Sequence, residues 1–120
     1  GFEKNFREIA GAAGTDLVEV DCSEPPCIAA LRRPPKEDHE AWTTFFSRMR
    51  GTDVWKETYP EKVIHQGIWV DCDDGGRQEY VSFISLLPDD WEQQFAGISL
   101  DRRGDRARKI AADWECAPAR

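Results

Sequence analysis

No stretch of this chain is apolar for the length a membrane-spanning helix requires. No signal-peptide pattern stands at its start either. The chain opens at Gly1 and not at a methionine. It therefore reads as a mature or trimmed form, with room for a leader or a single-span anchor upstream of Phe2. Basic residues are the minority: 16 Lys and Arg stand against 23 Asp and Glu, a net charge of −7. Binding a phosphate backbone needs a basic field, so no nucleic-acid partner is expected. The one basic cluster, Arg102, Arg103, Arg106, Arg108 and Lys109, is diluted by Asp101 and Asp105 and reads as a solvated helix face. Histidine is scarce, with two residues. No serine sits in a nucleophile elbow and no glycine-rich phosphate loop is present. Catalysis, a cofactor and a metal are accordingly not expected. Paired carboxylates abound, but in so acidic a chain they single out no site.

What is present is a matched pair of phrases, Val20-Asp21-Cys22-Ser23-Glu24 and Val70-Asp71-Cys72-Asp73-Asp74, fifty positions apart. Each ends a strand-like run at a hairpin turn. The four cysteines, Cys22, Cys27, Cys72 and Cys116, allow three pairings. Cys22 and Cys27 flank a short Ser-Glu-Pro-Pro turn that closes easily, which leaves Cys72 for Cys116. The alternative, Cys22 with Cys72 and Cys27 with Cys116, requires the two turns to meet. The four-residue gap with two prolines is unlike the Cys-x-x-Cys of redox and zinc sites. Structural disulfides are therefore expected, and with them an oxidising, extracytoplasmic location, periplasmic or secreted.

At 120 residues the chain is expected to form a single domain, 1–120. Phe2, Phe6, Ile9, Ala10 and Ala13 recur at helical spacing, and Gly14 is placed to end that helix. Strands are expected at 17–20 and 28–31 around the Cys22–Cys27 turn. A helix over 38–50 carries Trp42, Phe45, Phe46 and Met49 on one stripe. A further helical turn or packed loop is expected near Val54, Trp55 and Tyr59. A second hairpin, 63–70 and 80–87, turns at Asp73-Asp74-Gly75-Gly76. A helix opening at Asp89-Asp90, with Trp91 and Phe95, and a last one over 105–115 complete the order. The fold class is α+β, α-ββ-α-ββ-α: a four-stranded antiparallel sheet with helices on one face. The two stretches, about 15–60 and 61–116, read as a pseudo-repeat. This order resembles the ferredoxin-like (αββ)2 domains of assembly-platform proteins of type IV pili and type II secretion. The resemblance implies a periplasmic interaction module and transfers no individual residues.

Asp71 to Gly76 misses the calcium-loop pattern at Gly75 and Ser82, and reads as a hairpin turn with solvated carboxylates. Arg103-Gly104-Asp105 spells an adhesion tripeptide and reads as a helix start. His39 stands among acids at a helix start and is expected at the surface. His65, Gly67 and Trp69 share one strand face by period two, opposite Ile64, Ile68 and Val70. With Tyr80, His65 and Trp69 form the candidate binding face. Trp42, Trp91 and Trp114 fall on apolar stripes, whereas Trp55 and Trp69 are free to be exposed. The functional expectation is a non-enzymatic extracytoplasmic interaction or scaffold domain of a bacterial envelope or secreted protein. It would bind a protein partner or a second copy through a sheet face or edge. The alternatives are a small-ligand module on the His65, Trp69 and Tyr80 face, or a cysteine-based metal or redox protein.

Overall fold

The computed structural model describes residues 2–24, 26–58, 62–72, 75–87, 90, 93 and 100–118. Strands form where apolar and β-branched residues cluster: β1 (Asp16–Asp21), β2 (Ile28–Arg32), β3 (Lys62–Asp71) and β4 (Gln78–Leu87). β1 with β2, and β3 with β4, pair as antiparallel hairpins. Antiparallel pairing of β2 with β4 joins them in the order β1-β2-β4-β3. Near their tips the two hairpins share one register. Val20 faces Ala29 and Asp21 faces Ile28; fifty positions on, Val70 faces Glu79 and Asp71 faces Gln78.

Because β2 and β4 run antiparallel, the hairpin tips point to opposite ends of the sheet. Seven or eight strand residues separate them, on the order of 25 Å at the usual strand rise. A bond from Cys22 to Cys72 cannot span that distance. The structure instead closes Cys22 with Cys27 across the first tip, and Cys72 with Cys116, their Cα atoms 4.3 and 5.9 Å apart.

Five helices are found among the described residues: α1 (Phe2–Ala13), α2 (His39–Thr43), α3 (Phe45–Arg50), α4 (Asp53–Thr58) and α5 (Leu100–Ala112). The expectation of helices on one face is corrected, because both faces of the sheet are covered. Ala29, Leu31, Ile84 and Leu86 point toward α1, α3 and α4, packing with Phe6, Ile9, Phe45, Met49 and Trp55. Ile28, Ala30, Val81 and Phe83 point the other way and pack with Ala107 of α5. The cause lies in the central strands: Ile28 to Leu31 and Val81 to Leu87 are buried without a break. A strand apolar on both sides needs cover on both sides.

Local rules account for the helix ends. Gly14 takes the left-handed conformation, φ 68°, that ends α1, and the Thr15 amide donates to the Ala10 carbonyl at 2.9 Å. The single helix expected over 38–50 is two. Asp38 caps α2 by accepting from the Ala41 amide, and Thr44, at φ −95° and ψ 3°, separates α2 from α3. Trp55 is 5 % exposed and belongs to the core. α5 begins five residues before its expected start at Asp105, and runs through Gly104. The Arg103-Gly104-Asp105 tripeptide therefore lies inside a helix, with Arg103 buried. The helix expected around Trp91 and Phe95, the Asp73–Asp74 part of the second turn, and Tyr59, Pro60 and Pro88 lie outside the described residues.

The two bridges close rings of very different size, with sequence separations of 5 and 44. Chain entropy assigns them about 2 and about 4 kcal/mol. Replacing Cys72 and Cys116 by alanine should therefore lower urea-unfolding stability more than replacing Cys22 and Cys27. Equal losses would mean that the long ring constrains the unfolded chain no more than the short one.

Candidate functional site

β3 and β4 set the candidate face. Trp69 lies opposite Tyr80, Gly67 opposite Ser82 and His65 opposite Ile84, so all six share the face that carries α2 and α3. Their rings converge with ones the sequence had assigned to a helix stripe. Trp42 of α2 stacks on Trp69 at 6.3 Å and meets Tyr80 at 5.5 Å, while Tyr80 lies 4.9 Å from Trp69. Phe46 of α3 meets the His65 ring edge-on at 4.7 Å. The three expected residues are thus parts of one aromatic cluster with two contact points. It is half-roofed by α2 and α3 and is not an open platform, because the faces of helix and sheet are both aromatic here.

Gly67 is what lets the cluster close. A Cβ at this position would lie 1.6 Å from the Tyr80 hydroxyl oxygen, so the tyrosine ring lies over the glycine in the space a side chain would take. Such aromatic cover of an edge-strand glycine restores packing that the glycine itself cannot supply.

Two cations complete the face. The Arg33 guanidinium lies 4.3 Å from the Trp42 ring centre and 4.5 Å from that of Phe45. It donates to the Trp42 carbonyl at 2.9 Å, and its Nε is buried without an acceptor. Burial pushes the Arg33 pKa down. Lys36 places its Nζ 4.9 Å from the Trp69 ring centre. Among the described residues neither cation has a carboxylate within ion-pair distance. Trp69 is 45 % exposed, so the outer end of the cluster meets solvent as an indole beside an ammonium group.

His65 Nε2 lies 3.1 Å from the Ser82 hydroxyl. A histidine beside a serine is the pairing nucleophilic chemistry uses, but Ser82 is fully buried and no substrate can reach it. Burial first, then the charges of Arg33 and Arg103, lower the His65 pKa below 6.5. The imidazole is therefore neutral at neutral pH.

The opposite face holds a second cluster that sequence reasoning missed. Glu79 lies opposite Val70, on the α5 face, and is 9 % exposed. Its carboxylate accepts from Arg32 Nε and Trp114 Nε1 at 3.0 Å each, from the Ala117 amide at 3.0 Å and from Arg77 at 3.3 Å. Burial raises its pKa, but the hydrogen bonds from Trp114, Arg32 and Ala117 outweigh it, and the net shift is downward. No local pattern marks such a node, because its donors come from positions 32, 77, 114 and 117.

Cys72, Glu79 and Cys116 are near enough together to suggest a metal site. The donor set does not suit one: the sulfurs are bonded to each other, and the carboxylate already accepts four donors. Nor do Cys22 and Cys27 join it, being at the other end of the sheet. Compared with known proteins, the chain matches no family model, no curated protein and no solved structure.

Two measurements test these clusters. Gly67→Ala should drive Tyr80 out from beside Trp42 and Trp69, read as loss of near-ultraviolet circular dichroism with a lower melting temperature; an unchanged spectrum would contradict the packing described. For Glu79 the folded-state pKa is depressed, so its stabilisation is full above the ordinary value of 4.5 and is lost as pH falls through the lower folded value. Glu79→Gln should cost about 3 kcal/mol at pH 7 and flatten the fall of stability below pH 4.5. A variant as acid-sensitive as the parent would remove Glu79 from the account of acid unfolding.

Proposed function

We propose that this chain is a non-enzymatic, disulfide-stabilised interaction domain that works outside the cytoplasm and binds partners through the free edge of β3. The observation that carries the reading is the contrast between the two outer strands. β1 is guarded: its register slips between Leu17 and Glu19, and Asp16 and Glu19 are exposed along it. Bulges and edge charges of this kind are how proteins discourage strand addition. β3 pairs with β4 over ten residues, Lys62 to Asp71, without a slip.

The Cys72 amide donates to the Arg77 carbonyl at 2.8 Å, which sets the phase of the ladder. Alternation then turns the backbone groups of Ile64, Gln66, Ile68 and Val70 toward β4, and those of Val63, His65, Gly67 and Trp69 outward. The outward groups have no strand beyond them among the described residues. An unpaired row of this length is a template for an added strand.

Two disulfides and the absence, among the described residues, of a helix long and apolar enough to cross a membrane are compatible with an oxidising compartment. The shared register of the two hairpins supports a repeated αββ unit, and the order β1-β2-β4-β3 is the one an (αββ)2 ferredoxin-like sheet would adopt. A second reading, a small-ligand module, draws on one observation, the exposed Trp69 indole beside Lys36.

Amide hydrogen exchange separates the two. Peptides selected from a displayed random ten-residue library should slow exchange at Val63, His65, Gly67 and Trp69. The amides of Ile64, Gln66 and Ile68 should be slow with and without peptide. Selected peptides that leave the outward amides fast would overturn the edge reading.

A further inference from the structure

We propose that β3 accepts an extended acidic segment of a partner protein. That segment would carry a carboxylate on its Trp69-facing side and β-branched apolar residues on its other side. The inference rests on the edge reading of β3 and specifies the chemistry of what the edge takes.

A strand added to β3 continues both faces of the sheet, so its alternate side chains meet chemically different neighbours. On the aromatic face they meet His65, Trp69 and the Lys36 ammonium group above Trp69. On the α5 face they meet Ile64 and Ile68, both partly buried. The charge on the aromatic face is uncompensated. Arg32, Arg77 and Arg106 on the α5 face each hold a carboxylate, whereas Lys36 and Arg33 hold none among the described residues. An arriving Glu or Asp could lay its methylene groups on the exposed Trp69 ring while its carboxylate reaches Lys36. Large aromatic rings paired with a charge are favoured anchors of this kind. His65 is neutral at neutral pH and leaves Lys36 as the cation that selects.

The same geometry disfavours a second copy of the chain. β1 offered antiparallel to β3, in continuation of the sheet, would put Leu17 and Val20 on the aromatic face. Its acids Asp16, Glu19 and Asp21 would fall on the α5 face, beside Ile64 and Ile68. Pairing β3 with its own copy would bring two Lys36-bearing faces and two chains of net charge −7 together.

The test uses the oxidised full chain and the same displayed library, with trigalacturonic acid as a non-peptide anion. Enriched peptides should carry one Asp or Glu flanked on both sides by Val, Ile or Thr, and should slow exchange of the outward β3 amides. Lys36→Glu, a change at an exposed loop position, should weaken them by about tenfold or more and shift a repeated selection toward Lys or Arg at that position. Lys36→Gln should fall between.

Peptides that protect the edge without an acidic position, or that bind Lys36→Glu equally well, would overturn the inference and leave the edge reading standing. Peptides that never protect the edge would overturn both. Quenching of Trp69 by trigalacturonic acid more tightly than by any peptide, without edge protection, would overturn the inference in favour of an acidic sugar.

Discussion

The structure depends on a pair of strands that are apolar on both sides. β2 and β4 meet at the centre of the sheet, and their residues from Ile28 to Leu31 and from Val81 to Leu87 are buried almost without exception. Burying side chains of the size of Phe83, Ile84 and Leu31 is worth roughly 2 kcal/mol each, so neither face can be left in water without unfolding the domain. α1, α3 and α4 cover one face, and α5 has to cover the other. Everything else is a consequence of where those covers end. They leave the outer strands β1 and β3 at the margins, and over part of β3 they leave an aromatic roof instead of an aliphatic one.

On the α5 face the cover is a strap held at both ends. Arg106 reaches the first hairpin tip, donating to the Asp21 carboxylate at 3.1 Å and to the Asp21 and Pro26 carbonyls. Beyond the helix, Trp114, Cys116 and Ala117 reach the second tip through Glu79 and Cys72. The two hairpin tips differ at this point. Arg77 stands opposite Cys72 where Cys27 stands opposite Cys22, and Arg77 donates to the Ala117 carbonyl. The second tip thus gives its cysteine and its arginine to the tail, where the first tip bonds to itself. Between the two ends Arg103 is buried without a carboxylate among the described residues, its pKa lowered to about 10 by burial and by Arg106. It donates instead to the Ser85 hydroxyl at 2.6 Å and the Phe83 carbonyl at 2.9 Å.

The aromatic face shows the opposite economy of charge. The buried anion Glu79 has more donors than oxygens, while Arg33 and Lys36 rest on rings with no carboxylate of the described residues within ion-pair distance. A guanidinium over indole and phenyl faces is favourable, but less so than a hydrogen-bonded ion pair. In a chain so rich in carboxylates this pair, uncompensated among the described residues, stands out, and it lies beside the long edge of β3, which carries no bulge. That juxtaposition, more than any single residue, gives the face its character as a place for a partner.

Much of the architecture was legible in the residues. Apolar periodicity located α1, the two hairpins and α3, and the matched Asp-Cys phrases located both hairpin tips, because strand and helix periods are local properties of the chain. Gly14 announced the end of α1 for the same reason. Local pattern failed where long-range contact decides. The run from Val81 to Leu87, interrupted by Ser82 and Ser85, did not reveal that both faces would be covered. Trp55 was free by pattern to be exposed but is buried under α1. Gly104, read as part of a helix start, lies inside α5, where Arg103 and Ala107 are buried. His65, Trp69 and Tyr80 were found by strand period alone. Trp42, Arg33 and Lys36 were not, because they arrive from a helix and a loop. By itself the sequence determined most of the elements and their order and favoured closure of the short cysteine ring, all set by neighbours along the chain. Only the tertiary structure decided that the hairpin tips diverge, that Glu79 becomes a buried node and that two cations share an aromatic face, because each depends on segments that meet only when the sheet forms.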